Sequence, residues 1–407
     1  MKEKLFRIFD RCGEYSLYFF IIAIPISNAG IESFFGFILL FFLLKKLVKP
    51  DFKFLKSSTY FFALALLLFM GLSLINSGPY LAKSLIALFF KWLKNILIFV
   101  VVSDTITDPR KKRNCMIVLL GAASLICLDA LFQHFVGTDF LRNKKIIPLW
   151  GETMFHGGGI TASFHHYNSL GTYLVFNLSL VLSLLISVKN SLYKSTLFIL
   201  LVLLQVCLFL TYSRASWLGF MFVVVLIVIL YPKKRGKLFY AFAGYIFILV
   251  TCILFVIIFM PGLKERAMFA DAGRFDIWKG ACKMIADHPF LGIGLGTFMD
   301  HFHKYVPKAE FPVISYAHNS YLQIWAESGI LALFSFILLI GSVSYNAIKM
   351  LKRNGSDFML LGFTCAFFGF LVQLFFDSQL YSLQLAALFW FMTGVIVALT
   401  KQEETVK

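Results

Sequence analysis

Long apolar runs separated by short basic loops dominate this chain. A helix needs about 20 apolar residues to cross the hydrocarbon core of a bilayer. Runs of about that length fall at 14–29, 31–48, 58–76, 81–103, 114–136, 166–188, 193–211, 215–231, 238–260, 318–346, 357–377 and 380–400. The pattern predicts an all-α polytopic membrane protein with about twelve transmembrane helices. The first two runs are short and are divided only by Ser27-Asn28-Ala29-Gly30. Two longer polar stretches break the rhythm, one from Gly137 to His165 and a larger island from Pro261 to Ala317. The chain therefore reads as a membrane domain at 1–260 holding spans one to nine, a large helical loop at 261–317, and spans ten to twelve at 318–407.

Composition agrees with the pattern. Of 407 residues, 59% are hydrophobic and 14% charged, with a mean hydropathy of +0.82, whereas a soluble domain carries about 25% charge. The net charge of +17 could suggest a nucleic-acid partner, but the basic residues sit in short loops between apolar runs. With both termini in the cytoplasm, 24 of the 38 Lys and Arg fall in cytoplasmic segments, as the positive-inside rule requires. Membrane lipids rather than nucleic acid are the expected surroundings. Both long polar stretches then face outward. An uncleaved first span, rather than a removed signal peptide, is expected at the N-terminus. Span four carries Lys83, Lys91 and Lys94. The last two share a helical face, which is expected to look toward protein or water. The seven cysteines are scattered singly without a CxxC, so neither a disulfide framework nor a thiolate zinc site is implied.

Candidate chemistry collects on the outward side, where all eight histidines fall. His301-x-His303 and His165-His166 have possible ligand spacings, but no carboxylate or cysteine set completes a metal site, and no metal is predicted. Arg214, in TYSRASWLG at the end of span seven, violates the charge bias. It can snorkel to the interface, or it can grip an anion, because a guanidinium matches phosphate oxygens with a bidentate fork. Arg274 opens the segment Gly273–Phe298. There Phe275, Trp278, Ala281 or Cys282, and Ile285 recur at helical spacing, predicting an amphipathic helix on the bilayer surface. Asp287-His288-Pro289 should end it. Arg274 would then sit in its first turn, where spare backbone N–H groups could join it around a phosphate. Gly292-x-Gly294-x-Gly296 lacks the spacing and the preceding strand of a dinucleotide fingerprint and reads as a tight turn. His318, beside Asn319, opens span ten. It can be a hydrogen-bonded residue of a helix-capping region, or a neutral imidazole that takes a proton from an attacking hydroxyl. Glu327 lies nine residues on, half a turn out of phase, so it is expected to bond another helix rather than His318. The chain has no Asp-x-Asp, which argues against a metal-chelating nucleotide-sugar transferase.

TYSRASWLG, GRFDIW with DHPFLGIGLGTF, AHNSYLQIWAESG, and ITASFHHYNSLGTYL at Ile160–Leu174 together resemble the O-antigen ligase and polymerase superfamily of bacterial inner membranes. By motif the resemblance covers roughly 160–330; by span count and the late outer loop it covers the whole chain. It implies a GT-C-like glycosyltransferase working in lipopolysaccharide biosynthesis without metal, ATP or other cofactor. The implied donor is a polysaccharide on undecaprenyl diphosphate, and in the ligase the acceptor is a sugar hydroxyl of lipid A–core. The family's two arginines and histidine fall on Arg214, Arg274 and His318. Lys264, Arg266, Asn319 and the Arg142–Lys145 cluster are further candidates for donor or head-group contacts. The nearest alternative is an O-antigen polymerase. Polymerases often show an Arg-x10-Gly pattern, and here the corresponding positions are Val225 and Ile285, which favours the ligase. A protein-modifying oligosaccharyltransferase is a third relative, and a lipid-linked oligosaccharide flippase is the alternative from a different class.

Overall fold

The computed structural model describes residues 1–51, 57–145, 159–231, 245, 261–307, 316–354 and 357–401, with the backbone alone over 261–272. It is all-helical, with no strand among the described residues. Seven helices or helical stretches are long and apolar enough to cross a membrane: Ser58–Asn76, Gly78–Thr105, Pro109–Val136, Tyr167–Ser187, Ser191–Leu210, Ser320–Arg353 and Leu383–Lys401. Arg214–Leu230 and Phe358–Leu374 are apolar but shorter. Expected span nine, 238–260, lies outside the described residues apart from Tyr245.

In chain order the helices are α1 (Lys2–Ile26), α2 (Asn28–Val48), α3 (Ser58–Leu72), α4 (Leu81–Ile86), α5 (Lys94–Thr105), α6 (Pro109–Val136), α7 (Tyr167–Ser187), α8 (Ser191–Leu210), α9 (Arg214–Leu230), α10 (Pro261–Asp287), α11 (Phe298–Tyr305), α12 (Ser320–Arg353), α13 (Phe358–Leu374) and α14 (Leu383–Lys401). Their starts follow local chemistry. The side chains of Asp108, Asn190, Ser213, Asn319 and Asp357 each accept a first-turn N–H, satisfying donors that a helix start leaves open. Gly137 closes α6 in the left-handed conformation. The first hairpin turns at Ser27, which caps α2 through Gly30 N. The expected first span therefore ends three residues early, and its helix begins back at Lys2.

Helices α7 and α14 form the centre: 83% and 89% of their apolar windows are buried, against 33% for the peripheral α3 and α8. Up-and-down connectivity brings the α7, α9, α12 and α14 starts to one end of the bundle, hereafter the His318 end. The opposite end is stitched by ion pairs. Asp104 binds Lys45 (2.5 Å) and Lys46 (2.6 Å), Asp10 binds Lys111 (2.6 Å), and Glu14 binds Arg110 (2.9 Å).

Two expectations are corrected. Lys91 and Lys94 do not share a face. A π-helical stretch, Ala87–Leu93, joins α4 to α5, and its wider turn changes the register. Lys94 pairs with Glu32 of α2, while Lys91 is exposed beside Phe89 and Phe90. Nor does the apolar face of α10 wait for a bilayer. Ile277, Ala281, Met284 and Ile285 are buried against Ile293, Phe298, Phe302, Ala317 and Ala326, whereas Phe275 and Cys282 are exposed. The described part of the polar island folds as a cover over the start of α12.

Candidate active site

The cover is fastened to α12 through a kink. Gly329 interrupts α12 at φ 78°, ψ 176°, a conformation essentially restricted to glycine. There Ile330 N–H reaches the Pro289 carbonyl (2.9 Å), and a Cβ on Gly329 would lie 1.9 Å from Phe290 O. Gly292, Gly294 and Gly296 all have positive φ, so the expected tight turn is present, and it presses on the same kink. Ile293 N–H and Gly294 N–H donate to the carbonyls of Ala326 and Glu327. The buried Glu327 carboxylate accepts from Gly296 N (2.9 Å), Phe298 N (3.3 Å), Tyr381 Oη (2.8 Å) and Gln323 Nε2 (3.3 Å). Glu327 thus bonds the turn before α14 and the glycine turn, as its helical phase requires, and not His318.

The same fastening fixes the segment entering α12. Gln323 Oε1 accepts from Ala317 N (3.2 Å) and from Ser378 Oγ (2.5 Å), and Trp278 of α10 donates Nε1–H to Ala317 O (3.0 Å). Held on both sides, His318 adopts a left-handed conformation, φ 47°. For a non-glycine residue that is strain, of the kind that gathers at functional sites. Tyr212, two residues before Arg214, is also left-handed, φ 54°.

Asp377, in the turn between α13 and α14, organises the site. Its Oδ1 lies 3.2 Å from His318 Nδ1 and accepts from Ser378 N (2.8 Å). Its Oδ2 accepts from Asn168 Nδ2 (3.2 Å), and its carbonyl accepts from Ser320 Oγ (2.9 Å). Burial pushes the carboxyl up, but the hydrogen bond and charge of His318, with the charge of His166, outweigh it and hold Asp377 below its usual value. An ionised Asp377 makes His318 Nδ1 the donor, which leaves the lone pair on Nε2 as the basic position. The imidazole is partly exposed, with 36% of the side chain accessible.

From Asp377 a polar chain runs to the other candidate residues. Asn168 Oδ1 accepts from Ser213 Oγ (2.8 Å), which also meets Ser216 Oγ (2.9 Å). Ser216 Oγ and Thr172 Oγ1 both donate to Gln373 Oε1 (2.9 and 2.7 Å). Ser213 caps α9, and Arg214, exposed, is its first residue. Gly171 permits this approach of α7 to α9, because a Cβ there would fall 2.3 Å from Ser216 Oγ. Arg214 and His318 are thereby held in one framework through Asn168 and Asp377.

Arg274 is placed differently from the expectation. Helix α10 begins at Pro261, so Arg274 lies near its middle and not in a first turn. The backbone N–H groups around it are engaged in the helix and cannot join it around a phosphate. It stands one turn before Trp278 on the same face, which brings its helix against the residue preceding His318. Lys264 and Arg266 lie in the first turns of α10, with side chains outside the described residues. Asn319 spends its Oδ1 on the N–H groups of Tyr321 and Leu322, so it acts as the cap that sets the start of α12. In the Arg142–Lys145 cluster, Arg142 donates to Ser163 O and Lys144 to Ser163 O and Phe164 O, clasping the 160–164 loop.

Residues 197–337 match the family model for O-antigen ligase. The chain is 26% identical over 273 residues to an uncharacterized protein of Haemophilus influenzae, covering 61% of this chain and 63% of that protein. It is 26% identical over 242 residues to a ComP-specific O-oligosaccharyltransferase of Acinetobacter baylyi, covering 56% and 43%. The chain therefore spans less than two thirds of each relative. The matched region runs from α8 into α12 and contains Arg214, Arg274 and His318. Asp377 and Asn168 lie outside it.

Proposed function

We propose that this chain, whose residues 197–337 carry the O-antigen ligase match, is a membrane-embedded glycosyltransferase. It moves a polysaccharide from undecaprenyl diphosphate to a sugar hydroxyl of lipid A–core. The site faces the periplasm, both termini lie in the cytoplasm of the inner membrane, and the fold is a GT-C-like bundle of about twelve spans. The observation that carries this reading is the His318–Asp377 pair, hydrogen-bonded at 3.2 Å in one polar network with the cap of the helix that begins at Arg214.

In the reaction, the acceptor hydroxyl attacks the anomeric carbon as the diphosphate leaves. His318 Nε2 takes the hydroxyl proton, and Asp377 holds the imidazole in the required tautomer and offsets the charge it gains. An oriented base of this kind contributes about 10²–10⁴-fold. Negative charge grows on the departing diphosphate, and Arg214 and Arg274 stabilise it, a preorganised electrostatic role worth several kcal/mol. A single displacement inverts the anomeric carbon. Lys264 and Arg266 provide further positive charge for anionic head groups.

A protein hydroxyl as acceptor is the second reading, supported by the similarity to an O-oligosaccharyltransferase. Gene deletion distinguishes the acceptors. Bare lipid A–core with stranded lipid-linked polymer is the result expected of a ligase. Core bearing a single repeat unit would instead mean a polymerase. Intact lipopolysaccharide with loss of a protein-linked glycan would mean that protein is the acceptor.

A further inference from the structure

At the end of the bundle opposite His318 lies a cavity of about 370 Å³, bordered by the start of α3 and the last turns of α12 and α14. Lys349 and Arg353 of α12 and Lys401 of α14, whose Nζ also donates to Tyr60 Oη (2.6 Å), line it, and no carboxylate is among its described lining residues. Ser57, Ser58 and Asn346 add hydroxyl and amide groups. The start of α3 contributes more than side chains. Ser57, Ser58 and Thr59 at its start line the cavity and Ser57 makes no side-chain cap, so the positive end of the helix dipole borders the void. Three cations, hydroxyls and a helix start around one void form a receptor for a phosphate group.

The flanks indicate what carries that phosphate. Away from the cavity, α3 exposes Phe61, Leu64 and Leu68, and α12 exposes Phe334 and Ile337. The cavity thus opens beside bare apolar helix faces of acyl-chain character. Lys349 and Arg353 are themselves exposed at this rim. A loop charge that only obeys the positive-inside rule needs neither a concavity nor hydroxyls. The site is about 45 Å along α12 from His318 and shares no residue with the proposed reaction.

We propose that this cavity binds the phosphodiester head group of an anionic phospholipid at the membrane face opposite the glycan-transfer site. The test is native mass spectrometry of the detergent-solubilised full chain. It is offered phosphatidylglycerol and phosphatidylcholine of identical acyl chains, each with and without millimolar glycerol phosphate. The expected result is selective retention of phosphatidylglycerol, at least tenfold over phosphatidylcholine, reduced to near parity in Lys349→Gln/Arg353→Gln. Both substituted residues are exposed, so folding should survive. Lys352→Gln, an exposed neighbour outside the cavity, should retain phosphatidylglycerol like the wild type. Equal retention of the two lipids, or equal loss in Lys352→Gln and the double variant, overturns the proposal. Displacement of phosphatidylglycerol by millimolar glycerol phosphate overturns the lipid as occupant and leaves a soluble phosphate ester in its place.

Discussion

His318 and Asp377 stand 59 residues apart in the chain and 3.2 Å apart in the fold. They come from two different turns at one end of the bundle. The carboxylate that orients the imidazole is also the group to which Asn168 donates on behalf of the Arg214 cap. Replacing Asp377 by Asn keeps the shape but removes the charge and can reverse the preferred tautomer. Asp377→Asn is expected to lower glycan transfer by about 10²-fold or more while the protein remains inserted. Transfer rates on reconstituted protein check this.

The same pair carries a pH signature. Asp377 is held below its usual value, so its folded pKa is depressed relative to the unfolded chain, near 3.9. A depressed carboxylate stabilises the fold above the unfolded pKa, and that contribution is lost as pH falls through the folded one. The Tm difference between wild type and Asp377→Asn should shrink as pH falls below about 4. A difference that persists undiminished in stronger acid would place the stabilising charge elsewhere.

The sequence shows some of these relationships and conceals others. Arg214, Arg274 and His318 sit in recognisable motifs, and the phase of Glu327 on α12 correctly turns it away from His318. Asp377 is hard to read from sequence because no local pattern surrounds it in FFDSQLY. A signal was nonetheless present, since Asp377 is the only charged residue between Phe358 and Thr400, and a lone charge among spans is costly unless it has a partner. The sequence places the start of α10 too late because a glycine at 273 reads as a flexible hinge, whereas α10 runs through it. Periodicity cannot reveal a π-helical register change such as Ala87–Leu93, because the apolar run continues through it.

Close approach of α7 and α9 sets the position of Arg214. A valine at Gly171 would drive into Ser216, whose Oγ would be 2.3 Å and Cβ 2.8 Å from the new Cβ. Gly171→Val is expected to destabilise the protein by about 1–3 kcal/mol and to cut transfer by more than that loss of stability explains. Thermal unfolding in detergent beside activity at low temperature separates the two effects. Gly121→Val, where nothing lies within 4 Å, is the matched control and should retain activity.

The cover depends on the α12 kink. Gly329→Ala places a Cβ 1.9 Å from Phe290 O at a positive φ. A cost of about 3 kcal/mol or more is expected. Limited proteolysis within 288–306 should accelerate in this variant. Unchanged protection would mean that the glycine turn does not bear on the kink.

Arg214→Lys preserves charge but loses the planar fork. If Arg214 grips the leaving diphosphate, transfer should fall by about 10²-fold with little change in Tm. Wild-type turnover in that variant would argue against diphosphate contact at α9.

The most direct measurement is single-turnover glycan transfer from a purified lipid diphosphate donor by reconstituted wild type, His318→Ala, Asp377→Asn and the double variant. A base oriented by its partner acts as one unit. Each single variant should lose at least about 10²-fold, and the double variant should be no slower than His318→Ala. Wild-type transfer by His318→Ala, or losses that multiply in the double variant, would contradict the assignment of His318 and Asp377 to one catalytic pair.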